Sequence, residues 1–290
     1  MLSPVGDPTD VQSDHTERSL NLINPIHVVK DSGLIRGGAM SEITRADVEA
    51  HFTARAERYD RSSHWCTDPE LAERVLSLLT PQPSQTVVDV ACGTGLVSRW
   101  FKGRVAEVVG VDITRAMFEQ ARPHTDRLVV SPGEALPFEA DSFDIATCRQ
   151  GTQFMDDAAA IKEMARVIKP GGRVCVINLC AYGTEDVEEY FEILRWHNPV
   201  RRNFYLRENL QRLFEAAGLR DVEVHDHISE EDVDAWSDNG AIDETRREAI
   251  RQVYRNASPA FSRLHAVKTD DDTRFIDKML FGIAIGIKAG

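Results

Sequence analysis

The hydrophobic pattern changes character near residue 41. Residues 1–40 mix Pro4, Gly6, Pro8, Gly33, Gly37 and Gly38 with polar residues and hold no period, which predicts a flexible N-terminal tail. From Ser41, a capping residue, early acids and apolar spacing over "EITRADVEAHFTARAERYD" predict a helix. "DPELAERVLSLL" is a clearer start, with Asp68 as N-cap, Pro69 at the first helical position and Leu71, Val75, Leu78 and Leu79 on one face. Short β-branched runs then alternate with helical patterns. Strands are predicted at 87–91, 105–113, 127–131, 143–148 and 173–179. Between them lie a helix through Leu96, Val97, Trp100 and Phe101, "TRAMFEQAR" with Thr114 as cap, and "DDAAAIKEMARVI", which 169–172 break. Such alternation implies right-handed βαβ units and a parallel sheet covered on both faces. The chain closes differently. A helix, "LRENLQRLFEAAG", stops at Gly218, and "DVEVHDHI" forms a sixth strand. A polar stretch with a helix at "DETRREAIRQVYRNA" precedes the last strand, "FIDKMLFGIAIGIKA". The link at 269–274 is too short for a helical crossover, so the last strand is expected to run antiparallel. The expectation is an α/β, doubly wound, seven-stranded sheet in one domain over 41–290, with a helical N-terminal segment and residues 229–271 inserted as a lid.

Composition narrows the function more than the fold. The 290 residues are 42% apolar and 28% charged, ordinary for a globular protein, but the net charge is −13. That field repels a phosphate backbone and argues against nucleic acid as a partner. A small anionic substrate stays open, because a local arginine pair can act against the global sign. Five cysteines, an odd number without a C-x-x-C pair, read as buried thiols in a reducing compartment. No apolar run approaches the length of a membrane span, and the first residues lack a signal-peptide pattern, so the expected location is the cytoplasm. Oligomeric state has no signal, which leaves a homodimer open.

The candidate chemistry begins at "VVDVACGTGLVS", residues 87–98. A strand, a tight glycine turn and a helix bring backbone N–H groups to a ligand. Gly93 and Gly95 match the first two glycines of a dinucleotide fingerprint, but the third position is Ser98. Asp89 stands inside the strand, where a carboxylate suits a cationic amine and opposes a pyrophosphate. Asp112 closes the second strand, where an acid can accept both hydroxyls of a ribose. Each also has a plain reading, a locally hydrogen-bonded aspartate and a turn cap. Ribose plus ammonium without a diphosphate describes S-adenosylmethionine. An NAD or nucleotide-sugar enzyme would need the diphosphate contacts that Asp89 and Ser98 oppose.

Over roughly residues 59–179 the chain resembles the class I S-adenosylmethionine-dependent methyltransferases. "VVDVACGTG" is similar to their first motif, D-x-x-x-G-x-G, and "GVDIT" to the second. "GEALPFEADSFDIATCR" resembles the third and fourth segments, and "RVIKPGGRVCVI" the element before the fifth strand. The likeness is nearest to the small-molecule branch that holds ubiquinone/menaquinone C-methyltransferases and natural-product enzymes. It implies a Rossmann-like sheet, S-adenosyl-L-methionine as cofactor with S-adenosyl-L-homocysteine as product, and C- or O-methylation of a small-molecule acceptor. By the same resemblance, Asp89, Ala91 and the backbone of Gly93 and Gly95 meet the methionine end. Asp112 holds the ribose, Ile113 flanks the adenine, and Gly133 with Glu134 sits at the adenine edge. Arg149 and Gln150 lie near the methionine carboxylate. Relatives commonly carry an aspartate where Pro132 stands, so the contact to the adenine amino group falls to Glu134 or a carbonyl.

Methyl transfer is an in-line displacement that depends on placement, and a hydroxyl or carbon acceptor also needs a base. The titratable candidates are His64, His197 and Tyr59, with Trp65, Gln153, Phe154, Tyr182, Trp196 and Trp236 as candidate acceptor-side residues. Arg201 and Arg202, followed by Asn203, suit an anionic group on the substrate or equally a solvated helix end. His225 and His227 share one strand face but lack an evident third ligand, so no metal is expected. Two rival functions remain. One is arsenite methylation through Cys66, Cys148 and Cys180, whose spacing does not favour it. The other is a protein that binds the cofactor without transferring a methyl group.

Overall fold

The computed structural model describes residues 43–61, 64–270 and 273–290; the expected tail and Ser41 lie outside them. The first helix, α1 (Arg45–Arg55), is capped by Thr44 rather than Ser41. The Thr44 hydroxyl accepts the Asp47 N–H at 3.2 Å, and the Asp47 carboxylate accepts the Thr44 N–H at 2.8 Å. Helix α2 (Pro69–Leu79) follows the predicted stripe, burying Leu71, Val75 and Leu79. Its cap, Asp68, accepts the N–H groups of Glu70 and Leu71 and also takes His227 Nε2 at 2.7 Å, which ties the helix to a distant strand.

The sheet comprises β1 (Thr86–Val90), β2 (Glu107–Asp112), β3 (Arg127–Val130), β4 (Phe143–Arg149), β5 (Ile168–Cys180), β6 (Leu219–Asp232), β7 (Lys268–Asp270) and β8 (Arg274–Lys288). Their order is β3-β2-β1-β4-β5-β8-β6, with β7 paired to β8. Strands β1 to β5 are parallel, with Val88 opposite both Val109 and Ala146. β8 lies antiparallel between β5 and β6, as the short link requires. The order reverses between β1 and β4, so a crevice opens beyond their carboxyl ends, where doubly wound sheets bind ligands.

β5 takes in 168–172, expected as a helix break, and toward the end of the chain two further elements differ from expectation. "SEED" at 229–232 reads as polar loop, yet it continues β6 against Ile276, Asp277, Lys278 and Met279. The charges are absorbed on the spot: Arg274 pairs with Asp232 at 2.8 Å, Lys268 with Glu230 at 3.1 Å, and buried Glu231 accepts the N–H groups of His64 and Trp65. β7 is the strand beyond the expected seven, a three-residue arm against the start of β8.

Helices cover both faces. One face buries Val88, Val90, Ala146 and Val176 beneath α5 (Asp157–Val167) and α7 (Arg207–Ala216), through Ile161, Met164, Leu210 and Phe214. The other buries Val87, Ile145, Ile177 and Phe281 under α2 and α6 (Val187–His197), the latter without a counterpart in the sequence reading. The segment expected as a lid joins this second layer. Its helices α8 (Val233–Ser237), α9 (Glu244–Arg255) and α10 (Pro259–Leu264) place Trp236, Ile250, Tyr254 and Phe261 in the core. Fully buried His265 locks the layer to the sheet, with Nδ1 2.8 Å from Asp277 on β8 and Nε2 3.0 Å from Asp186, the N-cap of α6. The two carboxylates push its pKa up to about 9 against the opposing effect of burial. Among the described residues no helix is long and apolar enough to cross a membrane.

Candidate active site

The turn after β1 holds Ala91, Gly93 and Gly95 at positive φ, 54°, 53° and 82°. The two glycines do different work. Gly93 lines the main cavity, and its N–H donates to Asp112 Oδ2 at 2.8 Å. Gly95 does not line it; a Cβ there would approach the Ala121 backbone to 3.1 Å, so this glycine serves helix packing. Asp112 holds the Thr114 N–H on its other oxygen at 2.7 Å, which leaves lone pairs on both oxygens for a ligand. Burial raises its pKa.

Asp89 lies elsewhere than expected. It is buried, accepts the Ser98 hydroxyl at 2.6 Å and the Thr147 hydroxyl at 2.9 Å, and does not line the cavity. Strand alternation turns its side chain away from Val88 and Val90, toward the start of α3 (Ser98–Phe101). Desolvation pushes its pKa up to about 6, against the pull of both hydroxyls. Ser98, which stands where a third glycine would, is therefore the hydroxyl partner of the strand acid.

The main cavity has about 980 Å³ of empty space, counted to its open mouth. Asp112, Ile113, Pro132, Gly133 and Glu134 line one end, and Ala91, Gly93, Arg149, Gln150 and Gly151 form its floor. Gln150 sits at φ 53°, and a Cβ on Gly151 would come within 2.6 Å of Ala91 Cβ. Backbone strain thus gathers on the floor. Glu134 also accepts the Asp156 N–H at 3.1 Å. The cover is α1, through Arg45, Val48 and Phe52, with Tyr59 and Phe154 beside it; no described residue of 229–271 lines this cavity.

A second, smaller and narrow chamber, its roughly 310 Å³ of empty space likewise counted to an open mouth, shares Phe52, Tyr59, Gln150 and Phe154 with the first. Its inner wall brings together Arg55, Trp65, Gln153, His197, Arg201 and Trp236. Asn198 organises that wall. Its Oδ1 accepts from Arg55 Nη1 at 3.0 Å and from His51 at 2.8 Å, and its Nδ2 donates to His197 Nδ1 at 3.0 Å. His197 stacks flat on Trp236 at 3.7 Å and donates from Nε2 to the Trp236 carbonyl. With both nitrogens engaged and its pKa driven far down by burial and by Arg55, it is a neutral structural ring.

The remaining candidates separate in space. His64 is exposed, held by Glu231, and lines neither cavity. Tyr59 stands on the shared wall beneath Arg55, its pKa pushed up to about 12 by burial. Tyr182 donates to the Lys278 carbonyl, and Trp196 carries Glu192 and Arg246 on the outer side of α6. Asn203 pins the loop after β4 through the carbonyls of Thr152 and Met155. Arg202 reaches the main cavity and the Ile43 carbonyl, so the arginine pair is split between the two spaces. His227 is committed to Asp68 and His225 lies 2.9 Å from Glu223. Burial pushes the Cys66 thiol up to about 11 and the Cys148 and Cys180 thiols up to about 12, and no cluster of three metal-ligating side chains forms among the described residues. Arg55 was missed by the sequence reading. Its only sign there was position, one of several charges on an amphipathic helix.

Residues 88–176, from β1 to β5, match the family model described as a methyltransferase domain. Demethylmenaquinone methyltransferase from Corynebacterium kroppenstedtii is 30% identical over 228 residues, covering 76% of this chain and 93% of the relative. The chain belongs to the class I S-adenosylmethionine-dependent methyltransferases. Malonyl-[acyl-carrier protein] O-methyltransferase from Salmonella typhimurium is 28% identical over 172 residues, 58% of this chain and 67% of that protein. The crystal structure of the YcgJ protein from Bacillus subtilis shares the fold with a TM-score of 0.71 at 23% identity, over 77% of this chain and 100% of that one. Family membership makes this protein an enzyme that methylates small molecules, in preference to a scaffold that merely holds the cofactor. The matched domain contains the turn, Asp112 and Arg149. Arg55 and Arg201 lie outside it, so the enzyme's inner chamber joins the loop after β4, through Gln150, Gln153 and Phe154, to segments that the family model does not describe.

Proposed function

We propose that the main cavity takes S-adenosyl-L-methionine and that the inner chamber takes the methyl acceptor, with S-adenosyl-L-homocysteine as product. The observation that carries this reading is Asp112: a buried carboxylate on the cavity wall, held by two backbone N–H groups and open on both oxygens to a ribose diol. The residues fit the cofactor in other respects. Arg149 is buried over Trp65 at 4.8 Å without a carboxylate partner among the described residues, which suits the methionine carboxylate. Gln150 Nε2, also on the floor, has no hydrogen-bond partner among the described residues. Ala91 and Gly93 present backbone to the methionine end, Ile113 flanks the adenine, and Gly133 with Glu134 takes its edge.

When bound, the cofactor supplies an electrophilic methyl group on a sulfonium. The chain's part is placement. Phe52, Tyr59 and Phe154 wall the passage between the two spaces and exclude water from it. Asp89 acts indirectly, tying Ser98 and Thr147 together so that the turn keeps its shape. No carboxylate lines the inner chamber, and His197 has no free nitrogen, so Tyr59 is the remaining protein candidate for handling a proton. Calorimetry with S-adenosylhomocysteine tests the assignment. Asp112→Ala should weaken binding by roughly 10- to 100-fold, the worth of charge-assisted hydrogen bonds to the diol. Unchanged affinity would overturn it.

A further inference from the structure

The inner chamber carries a charge that no acidic side chain among the described residues balances. Arg55 and Arg201 are 3% and 5% exposed, and no acidic side chain lines the chamber with them. Arg201 Nε and Nη1 and Arg55 Nε have no hydrogen-bond partner among the described residues. Three neighbouring donors are in the same state: Gln150 Nε2, Trp65 Nε1 and Trp236 Nε1. Against these six donor atoms the chamber offers one unpaired acceptor, Gln153 Oε1. Burying a cation without a partner is strongly unfavourable, and unpaired buried donors each add to the penalty. The electrostatic consequences are visible nearby. The Arg55 and Arg201 charges reinforce burial in holding His197 neutral, and burial itself brings the Arg201 guanidinium down to about 10. Aromatic rings, from Phe52, Tyr59, Trp65 and Phe154, form much of the remaining wall.

Resting on the assignment of this chamber to the acceptor, we propose that the methyl acceptor is a small aromatic acid, whose oxyanion sits against Arg55 and Arg201 while its ring lies among those aromatic side chains. The anion is an anchor, not the site of methylation, because both arginines stand on the inner wall and neither lines the main cavity. Guanidinium groups match carboxylate and phosphate oxygens alike, so the recognised feature is the oxyanion itself. A chain of net charge −13 that keeps two buried arginines without an acidic partner on the wall of this chamber has reversed its own field at that point.

The test uses the full-length enzyme saturated with S-adenosylhomocysteine and titrates benzoate, phenyl phosphate and benzamide by calorimetry. Benzoate or phenyl phosphate should bind at least tenfold more tightly than benzamide, and the better of the two identifies the oxyanion. Equal affinity for benzamide, or no binding of either acid, overturns the proposal. Failure of S-adenosylhomocysteine itself to bind would instead overturn the cofactor assignment. Arg201→Met and Arg55→Gln should each lose tenfold or more in acid affinity and leave S-adenosylhomocysteine affinity within twofold. Because the arginines are unpaired without ligand, the melting temperature of ligand-free Arg201→Met should be unchanged or higher. A purely structural arginine would lower it and would leave acid binding in Arg55→Gln unaltered, an outcome that counts against the proposal.

Discussion

The two cavities share a wall but differ in how they are made. The main cavity is a product of local sequence. Its floor is the turn after β1, the end of β2 and the loop after β4, three strand ends that the parallel sheet places side by side. The inner chamber is assembled from α1, the turn at Trp65, the loop after β4 and the end of α6, with Trp236 from α8, so residues as far apart as Arg55 and Trp236 meet there. The first presents Asp112 and Glu134; the second presents two unpaired arginines and no acid. A scaffold that binds one cofactor needs the first kind of site to stay constant. Choice of acceptor is set where distant segments converge, and those segments can change without disturbing the sheet.

The comparison can be broken most forcefully at His265. His265→Ala leaves Asp186 and Asp277 buried without their cation and should cost about 3–5 kcal/mol, measured by chemical denaturation. Because Asp186 stands at the start of α6 and its carboxylate holds the Tyr182 and Gly183 N–H groups before it, the damage should fall on the chamber side, so acid affinity should drop before S-adenosylhomocysteine affinity does. The same group sets a pH dependence. Its folded pKa, about 9, lies above the unfolded value of 6.5, so its stabilisation is complete below 6.5 and is lost as pH rises through 9. Denaturation midpoints should fall over that window, and the fall should vanish in the variant. A smaller effect is expected at the shared floor. Gly151→Ala pushes a methyl group against Ala91 and Cys148, for about 1–3 kcal/mol, and should weaken both ligands together; loss of only one would show that the cavities are independent. The smallest effect belongs to Ser98→Ala. It removes one of two hydroxyl partners of Asp89, for about 1–2 kcal/mol, and should raise the Asp89 pKa further above 6, as followed by carboxyl NMR titration. Chamber ligands should not notice it.

Much of the sheet was legible because its signals are local. "VVDV", "VVGVD" and "VCVINL" are β-branched runs that can be satisfied only by burial on both faces, and the short link before β8 dictates its direction. The roles within the turn were less legible. Gly93 and Gly95 look alike in sequence, yet one faces ligand space and the other faces Ala121, a distinction that needs the neighbouring helix in place. Asp89 misled for a related reason. Its position in a motif said nothing about which side of the strand it occupies relative to Ser98 and Thr147. The segment at 229–271 looked like an insertion because its charges hid a strand extension and a helical layer, and those charges are neutralised only by partners such as Arg274, Lys268 and the 64–65 backbone.

By itself, then, the sequence determined the alternation of strands and helices, the place of the glycine turn and the acid that ends the second strand. These follow from hydrophobic period and backbone conformation, which act over a few residues. The tertiary structure decided which histidines are inert, that α1 covers the cavity, and that Arg55 and Arg201 face a chamber without counter-charge. Charge balance in a buried space is a property of everything that lines it, and no stretch of sequence contains all of those residues at once.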